Sequence, residues 1–194
     1  MSCDVHVILE KKVKSGFTKD VWHLCNNFRV REDDDINQIK NPQIIIQTHD
    51  MGFQNYEVFG WLAGVRSCQS PFIYPRGLPE NCHEYVKKEY EINKTANCYH
   101  TPTWYNLKDL MHFADNMQLD VTIEDFEDRS NFDDYKNQFK EEKQLVQDFT
   151  KTIIDYIFNH TFEFDFSNDV GLDKYQYAYE NFAENYRIIF WFDS

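Results

Sequence analysis

The sequence predicts an α+β domain, in which helices pack on one face of a mainly antiparallel sheet and the N- and C-terminal strands lie side by side. Three observations predict this class. The chain begins and ends with strand-like segments, helical patterns fill most of its middle, and the two kinds of element do not alternate regularly. Its 194 residues suit one domain, which we expect to span residues 1–194.

Alternating and β-branched segments predict the strands. Val5, Val7 and Leu9 alternate with polar residues near the start of the chain, and a period of two over this length indicates a strand. The end of the chain is rich in isoleucine and aromatic residues, which favour strands. The further predicted strands cover 21–30, 44–46 and 187–193.

Apolar residues at helical spacing predict four helices. The first begins after Asn55, a residue type that caps helix N-termini, and is expected to end near Arg66. Asn81 is expected to cap the second helix. The other three predicted helices cover 82–90, the residues that follow Asn106, and 132–158. The tyrosines between 175 and 179 fit either a strand or a helix.

The acidic composition limits the possible partners. The chain has 20 basic and 33 acidic residues and a net charge of −13, whereas nucleic acid and anionic membranes attract concentrated basic surfaces. We therefore expect neither free nucleic acid nor a membrane as partner, while a basic protein surface is acceptable. Five widely spaced cysteines are typical of a reducing compartment, and polar residues interrupt any signal-peptide pattern, so a cytosolic location is expected.

No known catalytic motif occurs in the chain, so the candidate site residues are polar groups that packing alone does not explain. Asp4, His6 and Glu10 are expected on one face of the first strand, because strand side chains alternate. A carboxylate beside an imidazole can orient it, raise its basicity or share a metal ion with it. The alternative is that this face of the strand is simply solvated.

Two predicted loops supply the other candidates. Arg66 and Arg76, which lies in the loop 75–79, could clamp a phosphate or a carboxylate. Alternatively, Arg76 could brace its loop by donating to backbone carbonyl groups. His100 and Trp104 lie on a predicted loop before the third helix, where they could bind a ring, or Trp104 could be a hydrophobic plug.

A zinc site is a weaker possibility. Two cysteines and two histidines between 82 and 100 are ligand types that suit zinc, but their spacing does not match a usual zinc finger. These residues are Cys82, His83, Cys98 and His100. The adjacent pair at 82 and 83 would also point in divergent directions. The cofactor therefore stays open, with a divalent metal as one possibility.

Five segments resemble a family found in bacteriophage and prophage genomes. They are SCDVH at 2–6 with Glu10, NYEVFGWLAGVR at 55–66, PRGLP at 75–79, HTPTWYNL at 100–107 and RIIFWFDS at 187–194. Their combination and order are more specific than any one of them. The resemblance implies a phage or virus origin, and hence the cytoplasm of the host cell. It also favours one shared site, because most of the polar candidates fall within these segments.

The first functional hypothesis is a site for a small phosphorylated or nucleotide-like ligand, which the protein would hold or hydrolyse. Arginine would bind phosphate and tryptophan would stack on a base. The expected catalytic residues are Asp4, His6 and His100, and the expected ligand contacts are Glu10, Arg66, Arg76 and Trp104. In a phage, capture or destruction of a host signalling nucleotide would serve counter-defence.

The second hypothesis is an acidic interaction protein. Such a protein would cover a basic surface of a host nucleic-acid enzyme and inhibit it. The negative patches would be 31–35 and 124–134, where acidic residues are concentrated.

Overall fold

A computed structural model describes residues 5–13, 21–25, 28–30, 44–46, 55–65, 73–96, 99–161 and 173–193. The chain divides into two compact units that are interleaved in sequence. The sheet unit comprises Met1–Gln54, Pro75–Asn106 and Glu184–Ser194, and the helical unit comprises Asn55–Tyr74 and Leu107–Ala183. Whether the chain is a single domain, as the sequence predicts, stays a prediction.

The α+β class predicted from the sequence is confirmed. The strands are β1 (Val5–Val13), β2 (Val21–Leu24), β3 (Phe28–Val30), β4 (Ile44–Ile46), β5 (His100–Asn106) and β6 (Tyr186–Phe192). One sheet is fully antiparallel with the order β2-β1-β6-β5, so the terminal strands are neighbours, as expected. Strands β3 and β4 form a separate antiparallel pair.

Strand register defines a first face of the four-stranded sheet. His6, Ile8 and Glu10 of β1 lie opposite Trp191, Ile189 and Arg187 of β6, and because side chains alternate along strands, all six share this face. Trp22 and Leu24 of β2 and Trp104 of β5 join them through the same register.

Helix α2 (Glu84–Ala96) packs on the first face. Val86 and Tyr90 of this helix are buried against Ile8, Ile189 and Trp191. A helix therefore covers one face of the sheet, as predicted, and an apolar cluster lies on that face beside its polar residues. Residues of the opposite face are also buried, namely Val7, Leu9, Tyr105, Ile188, Phe190 and Phe192.

Strand β5 corrects a prediction from the sequence, which had placed His100 and Trp104 on a loop. The segment is an edge strand, where the missing N–H of Pro102 removes no hydrogen bond from the interior of the sheet. A register shift between His100 and Thr103 accommodates the proline, and Thr101 has the positive φ of 52°. The loop 75–79 docks on this strand, since the Gly77 N–H donates to the Pro102 carbonyl at 3.0 Å.

The start of α2 corrects a second prediction, that Asn81 is its cap. The helix begins at Glu84, and the Tyr85 N–H donates to Nδ1 of His83 at 3.3 Å. Asn81 instead accepts a hydrogen bond from Arg187. The helix also continues beyond 90, to Ala96.

The other four α-helices that the structure describes belong to the helical unit. They are α1 (Tyr56–Ala63), α3 (Leu107–Asn116), α4 (Arg129–Thr161) and α5 (Lys174–Asn181), with a 3-10 turn at Ile123–Asp125. Helices α1, α3 and α5 each pack against α4, which begins and ends three residues beyond its predicted bounds. The ambiguous tyrosine segment is the helix α5. No helix among the described residues has the length and apolar character that crossing a membrane requires.

The caps of α1 explain its bounds. Oδ1 of Asn55 accepts hydrogen bonds from the N–H groups of Glu57 at 2.9 Å and Val58 at 3.4 Å, as its sequence position predicts. The helix ends before Arg66, because Gly64 adopts the left-handed conformation with φ of 65° and donates to the Gly60 carbonyl.

We expect Asn55→Ala to lower the free energy of unfolding by about 1 kcal/mol, because two N–H groups of α1 lose their acceptor. Asn55→Asp keeps an acceptor oxygen and is expected to behave like the wild type. Urea unfolding measures both, with Asn137→Ala on the exposed surface of α4 as the control. An equal loss in the alanine and aspartate variants would contradict the capping role.

Candidate functional site

A buried ion pair stands on the first face of the sheet. Glu10 is 0% exposed and Arg187 is 2% exposed, and Nε of Arg187 donates to Oε2 of Glu10 at 2.7 Å. The pair forms because the register of β1 and β6 sets these two residues opposite each other. Removing both charges from water is costly, so the pair needs further hydrogen bonds to be tolerated.

The turn before α2 supplies those hydrogen bonds. The His83 N–H donates to Oε1 of Glu10 at 2.7 Å. Arg187 donates through Nη1 to Oδ1 of Asn81 at 2.9 Å and through Nη2 to the Asn81 carbonyl at 3.2 Å. Both carboxylate oxygens and all three guanidinium nitrogens are therefore engaged. Burial lowers the pKa of the Arg187 guanidinium, and the Glu10 carboxylate opposes that shift.

Two tryptophan and two arginine side chains form a chain of cation–aromatic contacts that includes the arginine of this ion pair. Cζ of Arg187 lies 3.9 Å from the ring centroid of Trp22 and 5.6 Å from that of Trp104. Cζ of Arg76 lies 3.6 Å from the Trp104 centroid. We call these four residues, Trp22, Arg187, Trp104 and Arg76, the arginine–tryptophan column. It runs from a buried cation to an exposed one, because Arg76 is exposed and Trp104 is half-buried.

Arg76 is held in place by more than the ring contact. Its Nε and Nη2 donate to the carbonyl oxygen of Trp104 at 3.1 and 2.5 Å. Arg76 thus bonds a backbone carbonyl, as the bracing alternative expected, while its guanidinium stays exposed on the surface. A cation on an aromatic face is worth about 0.5–1 kcal/mol at an exposed site and about 2 kcal/mol when desolvated.

His6 shares the first face but lies outside the column, beyond Ile8. Its Nε2 lies 3.1 Å from Oδ2 of Asp193, and its ring lies 4.6 Å from that of Tyr99 and 6.1 Å from that of Trp191. Nε1 of Trp191 is buried and has no hydrogen-bond partner among the described residues. Among the described residues, Asp193 is therefore the carboxylate beside His6, while the expected role of Asp4 stays a prediction.

His100 lies on the opposite face. It pairs with Phe192 in the register, its ring stacks on the Phe192 ring at 5.9 Å, and its Nδ1 lies 2.8 Å from Oγ1 of Thr101. The imidazoles of His6 and His100 therefore do not meet, because consecutive residues Trp191 and Phe192 face opposite ways. Their catalytic roles stay predictions.

The structure brings together three of the seven predicted site residues. Arg76 and Trp104 belong to the arginine–tryptophan column, and Glu10 supports it from inside. Glu10 is not placed as the expected ligand contact, because it is fully buried and bonded on both oxygens. Asp4 and Arg66 lie outside the described residues. The sequence reasoning missed Trp22, Asn81 and Arg187, of which Arg187 had the clearer signal as a lone charge in an apolar strand.

The described part of the chain does not bring together side chains that would support the zinc site considered above. No group of three or more His, Cys, Asp or Glu side chains there could hold a metal ion. Burial raises the pKa of the Cys82 thiol to about 11, and Glu10 adds to the shift, so this thiol is protonated at neutral pH. Cys98 lies outside the described residues.

We expect Glu10→Leu and Arg187→Met each to lower the free energy of unfolding by about 3–5 kcal/mol, because each leaves an unpaired buried charge. The double variant should be closer to the wild type than either single variant. Urea unfolding of all four proteins measures this coupling, with Arg129→Met, which breaks an exposed pair at 3.9 Å, as the control. If the loss of unfolding free energy in the double variant equals the sum of the two single losses, the proposed coupling is contradicted.

Comparison with known proteins gives this site no counterpart. No protein-family model, curated protein or solved structure matches the chain. The resemblance to a bacteriophage and prophage family therefore stays a prediction, and the chemistry of the site is argued from its own contacts.

Proposed function

We propose that the sheet unit binds a small phosphorylated or nucleotide-like ligand, as a phage or virus accessory protein in counter-defence, and that Arg76 is the residue that holds its phosphate. The observation that carries the proposal is the fixed orientation of an exposed guanidinium. Cζ of Arg76 lies 3.6 Å from the ring centroid of Trp104, and Nε and Nη2 of Arg76 donate to the carbonyl of the same residue.

A fixed guanidinium suits phosphate because its planar N–H groups match two phosphate oxygens. A flexible arginine loses side-chain entropy when it binds, whereas Arg76 is already ordered by its ring and carbonyl contacts. The Trp104 carbonyl accepts from both Nε and Nη2, which orients the plane of the guanidinium that the phosphate would approach.

The interior of the column supports this role. Arg187 lies 5.6 Å from the Trp104 centroid and is itself fixed by Glu10 and Asn81. The ring that Arg76 contacts therefore also lies near a buried cation whose three nitrogens are all hydrogen-bonded. Because Arg76 covers Trp104 at stacking distance, a base would have to be recognised by other groups. The phosphate is the part of the ligand that the geometry favours.

Binding is better supported than hydrolysis. His6 and His100, the predicted acid or base groups, lie on opposite faces of the sheet. General acid–base catalysis needs its groups within hydrogen-bond reach of the same reacting atoms. The proposed activity is therefore capture of the ligand.

Calorimetric titration with inorganic phosphate, AMP and ADP tests the proposal. We expect Arg76→Ala to weaken binding by at least about tenfold, because a charge-assisted contact is lost. Arg76→Lys should lie between the alanine variant and the wild type, since lysine keeps the charge but not the planar fork. Arg129→Ala, which removes another exposed arginine, should bind like the wild type.

Two results would overturn the assignment. One is a wild-type protein that binds none of the three probes, and the other is an Arg76→Ala variant that is folded by circular dichroism and binds as tightly as the wild type.

A second function has support from an acidic surface on the helical unit. We define this surface by six exposed residues around the start of α4, namely Glu124, Asp125, Glu127, Asp128, Asp133 and Asp134. Ile123, which is 46% exposed, adds an apolar group beside them. Such a surface suits a basic partner, and covering a host nucleic-acid enzyme would inhibit it. The other predicted acidic patch, 31–35, lies outside the described residues.

Charge reversal tests the second function without disturbing local structure. Asp125 and Asp128 accept backbone N–H bonds, and Asp133 pairs with Arg129, so the variant uses Glu124→Lys, Glu127→Lys and Asp134→Lys. Binding to purified RNA polymerase, DNA gyrase and a restriction endonuclease from a bacterial host is measured at low and high salt. We expect a salt-sensitive complex that the triple variant weakens by at least about tenfold and that Arg76→Ala leaves unchanged. Equal binding by the triple variant and the wild type would contradict it.

A further inference from the structure

The helical unit contains a pocket of about 200 Å³ that belongs to neither proposed function. Its walls come from α1 and from the C-terminal end of α3 and the residues that follow. The lining residues are Trp61, His112, Phe113, Asn116, Met117 and Gln118.

The pocket has an apolar floor and a polar rim. Phe113 and Met117 are buried, at 8% and 5% exposure, and Trp61 forms a half-buried wall. The three polar lining residues are exposed. This division is typical of small-molecule sites, in which an apolar interior provides contact area and a few polar groups at the edge fix orientation.

The wall of the pocket is held in one orientation. Nε1 of Trp61 donates to Oε2 of Glu142 at 2.8 Å, and its ring meets Phe139 edge-on at 5.9 Å. Glu142 is itself buried at 6% exposure, and its other oxygen accepts from Nε2 of Gln138 at 2.8 Å. Trp61 therefore presents a fixed ring face, because rotating it would leave a buried carboxylate without its indole donor.

The floor is held as firmly. Nζ of Lys143 donates to the carbonyl groups of Asp115 at 2.9 Å and Met117 at 3.0 Å, at the end of α3. Tyr175 adds a hydrogen bond from its hydroxyl to Oδ1 of Asp115 at 3.2 Å. Burial raises the pKa of Tyr175, and the Asp115 carboxylate adds to the shift, so the hydroxyl keeps the proton that it donates. The C-terminal turn of α3 is thus anchored, although it contains no basic residue of its own.

We propose that this pocket binds a small neutral aromatic compound of one or two rings that carries one hydrogen-bonding group. The volume of the pocket limits the ligand to one or two rings, because an engineered apolar cavity of about 150 Å³ holds benzene. The lining sets the chemistry. Among the described residues that line the pocket none is Asp, Glu, Lys or Arg, so they offer a phosphorylated ligand no counter-charge, whereas Trp61, Phe113 and the Met117 sulfur favour an aromatic ring.

The rim sets where the polar group of the ligand binds. Nδ1 of His112 lies 3.2 Å from Nδ2 of Asn116, and the same Nδ2 donates to the His112 carbonyl at 2.8 Å. This pair forms a ready-made polar edge on α3. Because the Asn116 amide nitrogen can only donate, Nδ1 of His112 is the acceptor of this contact, and an N–H of the ligand can be accepted at Oδ1 of Asn116.

Indole is the probe that tests the proposal, and the methyl carbon–proton NMR signal of Met117 is the readout. The signal is assigned with Met117→Leu. We expect a saturable shift with a Kd on the order of 1 mM or lower, as suits a ligand of this size. Phenyl phosphate should not shift it. No movement of the Met117 signal at saturating indole would overturn the proposal.

Two variants place the ligand in the pocket. Gln118→Trp fills it from the rim and should abolish the shift, while Asn137→Trp, on the exposed surface of α4, should not. Asn116→Ala should weaken indole binding by about threefold or more and leave benzene binding unchanged, since benzene has no N–H. Indole binding that persists in Gln118→Trp, or an Asn116→Ala variant that loses both probes equally while staying folded, would contradict the assignment.

The outcome is independent of the proposed phosphate site. Arg76→Ala should bind indole like the wild type, and Gln118→Trp should bind phosphate like the wild type.

Discussion

The Glu10–Arg187 ion pair is the constraint on which the sheet unit depends. It joins residues 177 positions apart and binds the turn before α2 through Asn81 and His83. In a dry interior neither charge can be tolerated alone, so strand pairing, helix docking and the turn must form together. The same pair positions the arginine that backs Trp104. The buried ion pair and the exposed Arg76 therefore belong to one connected set of side-chain contacts.

Local patterns carried most of the fold prediction. The period of two in β1 and the amphipathic spacing of α3 and α4 are properties of the sequence itself, and all three elements form where expected. Strand β5 was missed because Pro102 argues against a strand. The proline is tolerated in this strand because the strand lies at the edge of the described sheet and its register shifts near the proline. Both features arise only when the sheet assembles. The end of α1 before Arg66 could have been predicted from the sequence, since glycine is a typical C-terminal cap and Gly64 lies at that position.

The candidate site was only partly predictable, for a different physical reason. Arg76 and Trp104 stand out as polar and aromatic residues beside helix breakers, but their contact depends on how the loop docks on β5. Arg187 could have been paired with Glu10 by aligning the two terminal strands, since Arg187 is the one charge in the apolar segment 186–192. The separation of His6 from His100 could not have been predicted from the sequence. It follows from the register of three strands and from an irregularity in one of them.

The docking of the loop 75–79 also bears on aggregation. An open sheet edge offers unpaired backbone groups to a second molecule and invites intermolecular strand pairing. On β5, Pro102 has no N–H to offer, and its carbonyl already accepts from Gly77. The segment that carries Arg76 therefore also shields the rim of the sheet. Substitutions that detached the loop 75–79 from β5 to admit a larger ligand would expose the edge of this strand to pairing with a second molecule. The need to stay soluble therefore limits how far this binding surface can be changed.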